Sequence, residues 1–114
     1  MTNKPSLFFK CLSDDTRLQC LMLLCNHESL CVCDLAAAIN ISQPKVSRHL
    51  AQLRSCGLVV DERRGQWVYY ALNPLMPGWM SNIIAGLKPV FNKDPGFKQV
   101  ALRAKCCKKL VDMG

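Results

Sequence analysis

Residues 42–57, SQPKVSRHLAQLRSCG, carry a start signal, an apolar stripe and a stop signal in one short run. Ser42 suits an N-cap, where a small side-chain oxygen meets unpaired amides. Pro44 falls in the first turn, where its missing N–H costs nothing. Gly57 suits the left-handed residue just past a helix end. Val46, Leu50 and Leu53 recur at i, i+4 and i+7, which predicts one buried stripe. Gln43, Lys45, Ser47, Arg48, Gln52 and Arg54 are left for the outer face.

Upstream, LCVCDLAAAIN at residues 30–40 reads as a shorter helix, with Leu35, Ala38 and Ile39 on its apolar face. Two helices joined by the few residues of NIS predict a helix-turn-helix. Before them, SDDTRLQCLMLLC opens on the helix-start acceptors Ser13, Asp14 and Asp15. It places Leu18, Leu21, Met22, Leu24 and Cys25 on one face. A first short helix follows Pro5. Downstream, Leu58, Val59 and Val60 precede the turn ERRGQ, and Trp67, Val68, Tyr69 and Tyr70 follow it, a β-hairpin pattern. Two helices, from about Pro77 to Lys93 and from Gly96 to Met113, flank an NKDPG turn. The predicted fold is mainly α with a β-hairpin wing, a winged helix-turn-helix in the order α-α-α-α-β-β-α-α.

The 114 residues suffice for a single domain, 1–114, in which about 94–114 form a C-terminal basic helix or tail carrying Cys106 and Cys107. Three basic and four acidic side chains leave residues 1–42 at −1. Five and two give residues 43–87 +3, and seven and two give residues 88–114 +5. This basic balance points to an anionic partner. The second helix of such a motif presents its N-terminal residues to base edges in the major groove. Ser42, Gln43, Lys45, Ser47 and Arg48 stand there; Gln reads adenine, Arg or Lys reads guanine, and Ser suits bases or phosphates. Arg63, Arg64 and Gln66 at the hairpin tip suit phosphates or a minor groove. Double-stranded DNA is therefore the expected partner.

No stretch is long and apolar enough to span a membrane, and MTNKPSLFFKCLSDD has no secretory pattern, so the expected compartment is the cytoplasm. There the eight cysteines are expected to be mostly reduced thiols, not a disulfide framework. Cys20, Cys25 and Cys56 read as packing residues. His49 reads as a packed helix residue, not a ligand. No enzyme is expected, because LCVCDLAAA lacks the phosphate-cradling loop and arginine of a thiol reductase.

FKCLSDDTRLQCLMLL, LCVCDLAAAI, SQPKVSRHLAQLRSCGLV and RRGQWVYYAL together resemble the ArsR (ArsR/SmtB) metalloregulatory repressors, particularly their arsenical-responsive branch, from about Leu7 to Trp79. The resemblance implies a homodimer built by the first and last helices. In such a repressor the metal-free dimer holds its operator and an inducer releases it. It also implies that Cys31 and Cys33 bind the inducer, As(III), Sb(III) or methylarsenite, with no obligatory cofactor. Soft thiolates suit such an ion. With both cysteines on the helix of residues 30–40, their side chains point about 200° apart, and convergence on one ion requires unwinding a turn. Ala36 stands where repressors of the CVCDLC type have a third cysteine. Cys106, Cys107 or Cys11 could complete the set, as could a water or a small thiol, and a methylated arsenical needs only two sulfurs. Two further readings of the same fold stay open. One is a thiol-based redox or persulfide switch at Cys31, Cys33, Cys106 or Cys107. The other is a zinc or cadmium sensor, weakened by the shortage of histidine.

Overall fold

The chain folds as α1 (Pro5–Cys11), α2 (Asp15–Cys25), β1 (Leu30–Cys31), α3 (Val32–Ile39), α4 (Gln43–Ser55), β2 (Val59–Arg64), β3 (Trp67–Leu72), α5 (Gly78–Lys93) and α6 (Pro95–Met113). This computed structural model describes the backbone of residues 4–113 and the side chains of residues 4–104. The expected helix and hairpin order is present, with one addition, the two-residue strand β1. It pairs antiparallel with β3, Leu30 opposite Tyr70 and Cys31 opposite Tyr69, and makes a three-stranded sheet ordered β1-β3-β2.

The boundaries of α4 fall where the sequence predicts, but the side-chain cap expected of Ser42 is not made. Ser42 is the N-cap residue and Pro44 sits in the first turn. At the other end Gly57 takes φ +79°. The Gly57 amide donates to Arg54 O at 2.9 Å and the Leu58 amide to Leu53 O at 3.0 Å, the paired bonds of a Schellman stop. Asn73 fastens the hairpin to this stop. Its Nδ2 donates to Gly57 O at 2.9 Å, and its amide donates to Leu58 O at 3.0 Å. Val46, Leu50 and Leu53 are wholly buried, each contributing about 1.5–3 kcal/mol by leaving water.

These three residues join one core with α2, which is apolar on more than one side. Cys20, Leu21, Met22, Leu23 and Leu24 are all buried, whereas Leu18 and Cys25 are only half-buried. The single face expected for α2 is therefore too narrow, because this helix runs through the centre and must be apolar nearly all round. Asp14 caps its start by accepting the Arg17 amide at 3.0 Å. Helix α3 ends at Asn40, which takes φ 66° and turns the chain toward α4. Asn tolerates that left-handed conformation better than most residues. In the wing, Gly65 has φ +64° with nothing within 4 Å of where its Cβ would lie, so the dihedral and not crowding calls for glycine.

Candidate DNA interface and thiol site

Burying Val46, Leu50 and Leu53 turns the opposite face of α4 to solvent. Ser42, Gln43, Lys45, Ser47 and Arg48 are all exposed there, as are Arg63, Arg64 and Gln66 on the wing. The remaining polar residues of α4 bind the protein itself. Gln52 accepts from Arg17, whose Nε also donates to Cys11 O at 2.6 Å. Arg54 pairs with Asp61 at 2.8 Å and so joins the helix to β2. Within the wing, Arg64 lies 3.4 Å from the Glu62 carboxylate and its guanidinium stacks 4.5 Å over the Tyr69 ring. Arg64 is thus pre-oriented on the strand. The outward set divides into a bonded C-terminal half of α4 and a presented N-terminal half.

The two cysteines do not share a helix. Cys31 is extended (φ −80°, ψ 161°), ends β1 and serves as the N-cap of α3, while Cys33 lies in the first turn. Because the chain bends between them, their Cα atoms are 5.4 Å apart and their sulfurs are joined as a disulfide. The expectation that convergence needs an unwound turn is corrected here: the helix begins after Cys31, so the sulfurs meet with α3 intact. Strand pairing of Cys31 with Tyr69 holds this bend, a partner that local periodicity does not reveal.

Asp34 completes the corner and is a residue the sequence reading missed. The Cys31 amide donates to Asp34 Oδ2 at 3.2 Å, and the Asp34 amide donates to Cys31 Sγ at 3.3 Å. This is a reciprocal capping box with sulfur in the place of a hydroxyl. The Cys-x-x-Asp spacing was its available signal. Among the described residues, Cys31, Cys33 and Asp34 form a group whose ligand atoms lie within 4.8 Å of one another. Two soft sulfurs and one carboxylate oxygen, at the positive end of a helix, suit a soft or borderline cation or metalloid.

A cleft of about 220 Å³ joins this corner to the polar face. Cys31, Val32 and Cys33 line it together with Gln43 and Ser47 of α4 and Gln66, Trp67 and Val68 of the wing. Trp67, half exposed at 49%, is a further residue of the site that the sequence reading used only as a strand former.

The other cysteines lie elsewhere. Cys11 is buried against a separate cavity beside Cys56, and it is not part of the Cys31–Cys33–Asp34 group within one chain. Burial, reinforced by the neighbouring Cys56, pushes its thiol up to about 12. Burial also pushes Cys20 up to about 12 and raises Cys25, as expected of packing residues. Cys106 and Cys107 lie outside the residues whose side chains are described. His49 is half-buried, with Nδ1 3.9 Å from Asp14 Oδ1. No helix among the described residues is long and apolar enough to cross a membrane.

Known proteins resemble this chain in sequence and fold. Residues 14–60 match the family described as bacterial regulatory protein, arsR family. The arsenic resistance transcriptional regulator ArsR1 of Pseudomonas putida is 51% identical over 83 residues, 73% of this chain and 65% of that protein, so just under two thirds of that relative's length is spanned. The arsenical resistance operon repressor of Escherichia coli is 51% identical over 80 residues, 70% of this chain and 68% of that protein. Among solved structures, HlyU from Vibrio cholerae superposes with a TM-score of 0.68 at 29% identity, covering 81% of this chain and 100% of that one. The homodimeric winged helix-turn-helix DNA-binding domain Mb0332 from Mycobacterium bovis gives 0.63 at 27% identity, over 79% and 80% of the two chains. A Schellman-stopped helix behind a left-handed Asn turn, a basic hairpin tip and this sequence identity lead to one conclusion: the chain is a winged helix-turn-helix protein and belongs to the arsR family of bacterial regulatory proteins.

Proposed function

We propose that this protein is a transcriptional repressor that holds operator DNA as a homodimer. It releases the DNA when trivalent arsenic or antimony, inorganic or methylated, binds the thiolates of Cys31 and Cys33. The observation that carries this reading is the shared cleft, in which both cysteines meet Gln43 and Ser47 of the recognition helix and Gln66 and Trp67 of the wing. The names of the two bacterial relatives support the arsenical. Exposed Leu7 and Phe9 on α1 and Leu102 on α6 support the dimer, as does the homodimeric Mb0332 domain.

On DNA, Gln43, Lys45, Ser47 and Arg48 read base edges, with Ser42 beside them, while Arg63, Arg64 and Gln66 engage the backbone. Release starts from the dithiol form of the pair. Two thiols displace two hydroxyls of arsenous acid, leaving two As–S bonds and two waters with no change of oxidation state. An arsenic bridging the two sulfurs sets their separation and so shifts the corner at which Cys31 Sγ caps α3. The cleft also gains a bulky occupant against Gln43, Ser47 and Trp67. Both effects favour the DNA-free conformation, and a differential of a few kcal/mol is enough to empty the operator. Ala36 offers no third sulfur, and Asp34 offers a carboxylate oxygen within 4.8 Å of both sulfurs.

A second reading rests on the bond between Cys31 and Cys33 itself: a redox switch in which disulfide formation, not metalloid binding, releases DNA. One titration separates the two. Operator binding is followed in wild type and Cys33→Ser with arsenite, antimonite, cadmium and peroxide. The arsenical reading requires loss of binding with arsenite in wild type alone; release by peroxide and not by arsenite supports the redox switch.

A further inference from the structure

Far from the cleft, the end of α1 meets the end of α4 around a second cavity of about 290 Å³. Cys11, the last residue of α1, and Cys56, the C-cap of α4, both line it, and neither is bridged. Both cysteines border this one cavity, and Cys11 Sγ donates to Gln52 O at 3.8 Å. Leu7, Phe8 and Met80 make an apolar wall, and Lys10, Arg17, Gln52 and Ser55 make the polar side. It shares no residue with the Cys31–Cys33 cleft.

We propose that Cys11 and Cys56 form a second dithiol site, whose ligand is a trivalent arsenical bearing one organic substituent. Two thiols supply the two bonds that such a metalloid has open, and the substituent lies in the cavity. An apolar cavity of about 150 Å³ already accepts benzene, so a phenyl or methyl group fits here. Phe8 offers a ring edge or face and Met80 a sulfur, both favourable to an aromatic group. The exchange is redox-neutral: an organoarsenic oxide plus two thiols gives two As–S bonds and one water, the thiol protons leaving with the oxygen. This balance separates the ligand from a divalent metal. A metal needs two thiolates, and burial holds the Cys11 thiol protonated, whereas the arsenical consumes neutral thiols and leaves a neutral adduct.

The test uses the full chain with Cys31→Ser, Cys33→Ser, Cys106→Ser and Cys107→Ser combined, titrated with phenylarsine oxide and, in parallel, with arsenite. Intact mass and peptide mapping are expected to show one adduct per chain, bridging Cys11 and Cys56. Phenylarsine oxide should bind about tenfold or more tightly than arsenite, the order of difference that burying one ring supplies. Adding Cys56→Ser, at a half-buried position that leaves the core intact, should abolish the bridge. No adduct, an adduct mapped to Cys20 or Cys25, persistence in Cys56→Ser, or equal binding of arsenite would each overturn the proposal. The operator titration of Cys33→Ser is unaffected by any of these outcomes, so the two sites stand or fall separately.

Discussion

Cys31 has two separable roles, as a helix cap and as a thiol. Serine keeps the first and removes the second, since its oxygen accepts the Asp34 amide at least as well as sulfur does. Under reducing conditions Cys31→Ser should therefore unfold within about 0.5 kcal/mol of wild type, while Cys31→Ala should lose about 1 kcal/mol, the usual cost of deleting a cap. Urea denaturation followed by circular dichroism measures both. Equal losses in the two variants would show that the sulfur caps nothing. The sequence contained the cysteine pair and the carboxylate three residues on. Their arrangement was obscured because cysteine is seldom counted among capping residues, so the helix start was placed too early. Starting the helix at Val32 and not at Leu30 reverses the conclusion about whether the sulfurs can meet.

At the scale of elements, α4 and the wing were legible because their signals are local. Cap position, proline, stripe, glycine stop and turn all lie within a few residues of what they control. Leu53→Ala, in the wholly buried stripe, should cost about 2–5 kcal/mol by denaturant unfolding. Arg48→Ala should abolish specific operator binding while leaving the unfolding midpoint in place, because Arg48 is exposed on the presented half of the helix. Arg63→Ala should weaken all sequences alike and lower the salt slope of binding by about one. A loss confined to the specific site would instead make Arg63 a base reader. Strand β1 was not legible. Its two residues carry no alternation of their own, and their partners Tyr69 and Tyr70 lie far along the chain. The breadth of α2 was missed for a related reason: an apolar residue on a second face tells of neighbours, and neighbours are a tertiary fact.

For the whole molecule, the sheet and the helix-turn-helix meet at one corner, and there the cysteines, the recognition helix and the wing share a cleft. The last helix reaches the same unit from behind, where Arg103 Nε donates to Ala38 O at 2.7 Å near the end of α3. Helix α3 is thus held at its start by Cys31 and Asp34 and near its end by α6. Replacing Arg103 with Ala should lower stability by about 1 kcal/mol or slightly more, as loss of a charged donor to a backbone carbonyl does, and urea unfolding reads it. An inducer that loosens one hold acts on the element that seats α4. The most direct test is operator binding by fluorescence anisotropy, with the protein reduced, as arsenite is added to wild type and to Cys33→Ser. Wild type should lose about tenfold or more in affinity, at least ~1.4 kcal/mol, while Cys33→Ser stays bound; normal release by Cys33→Ser would contradict the account.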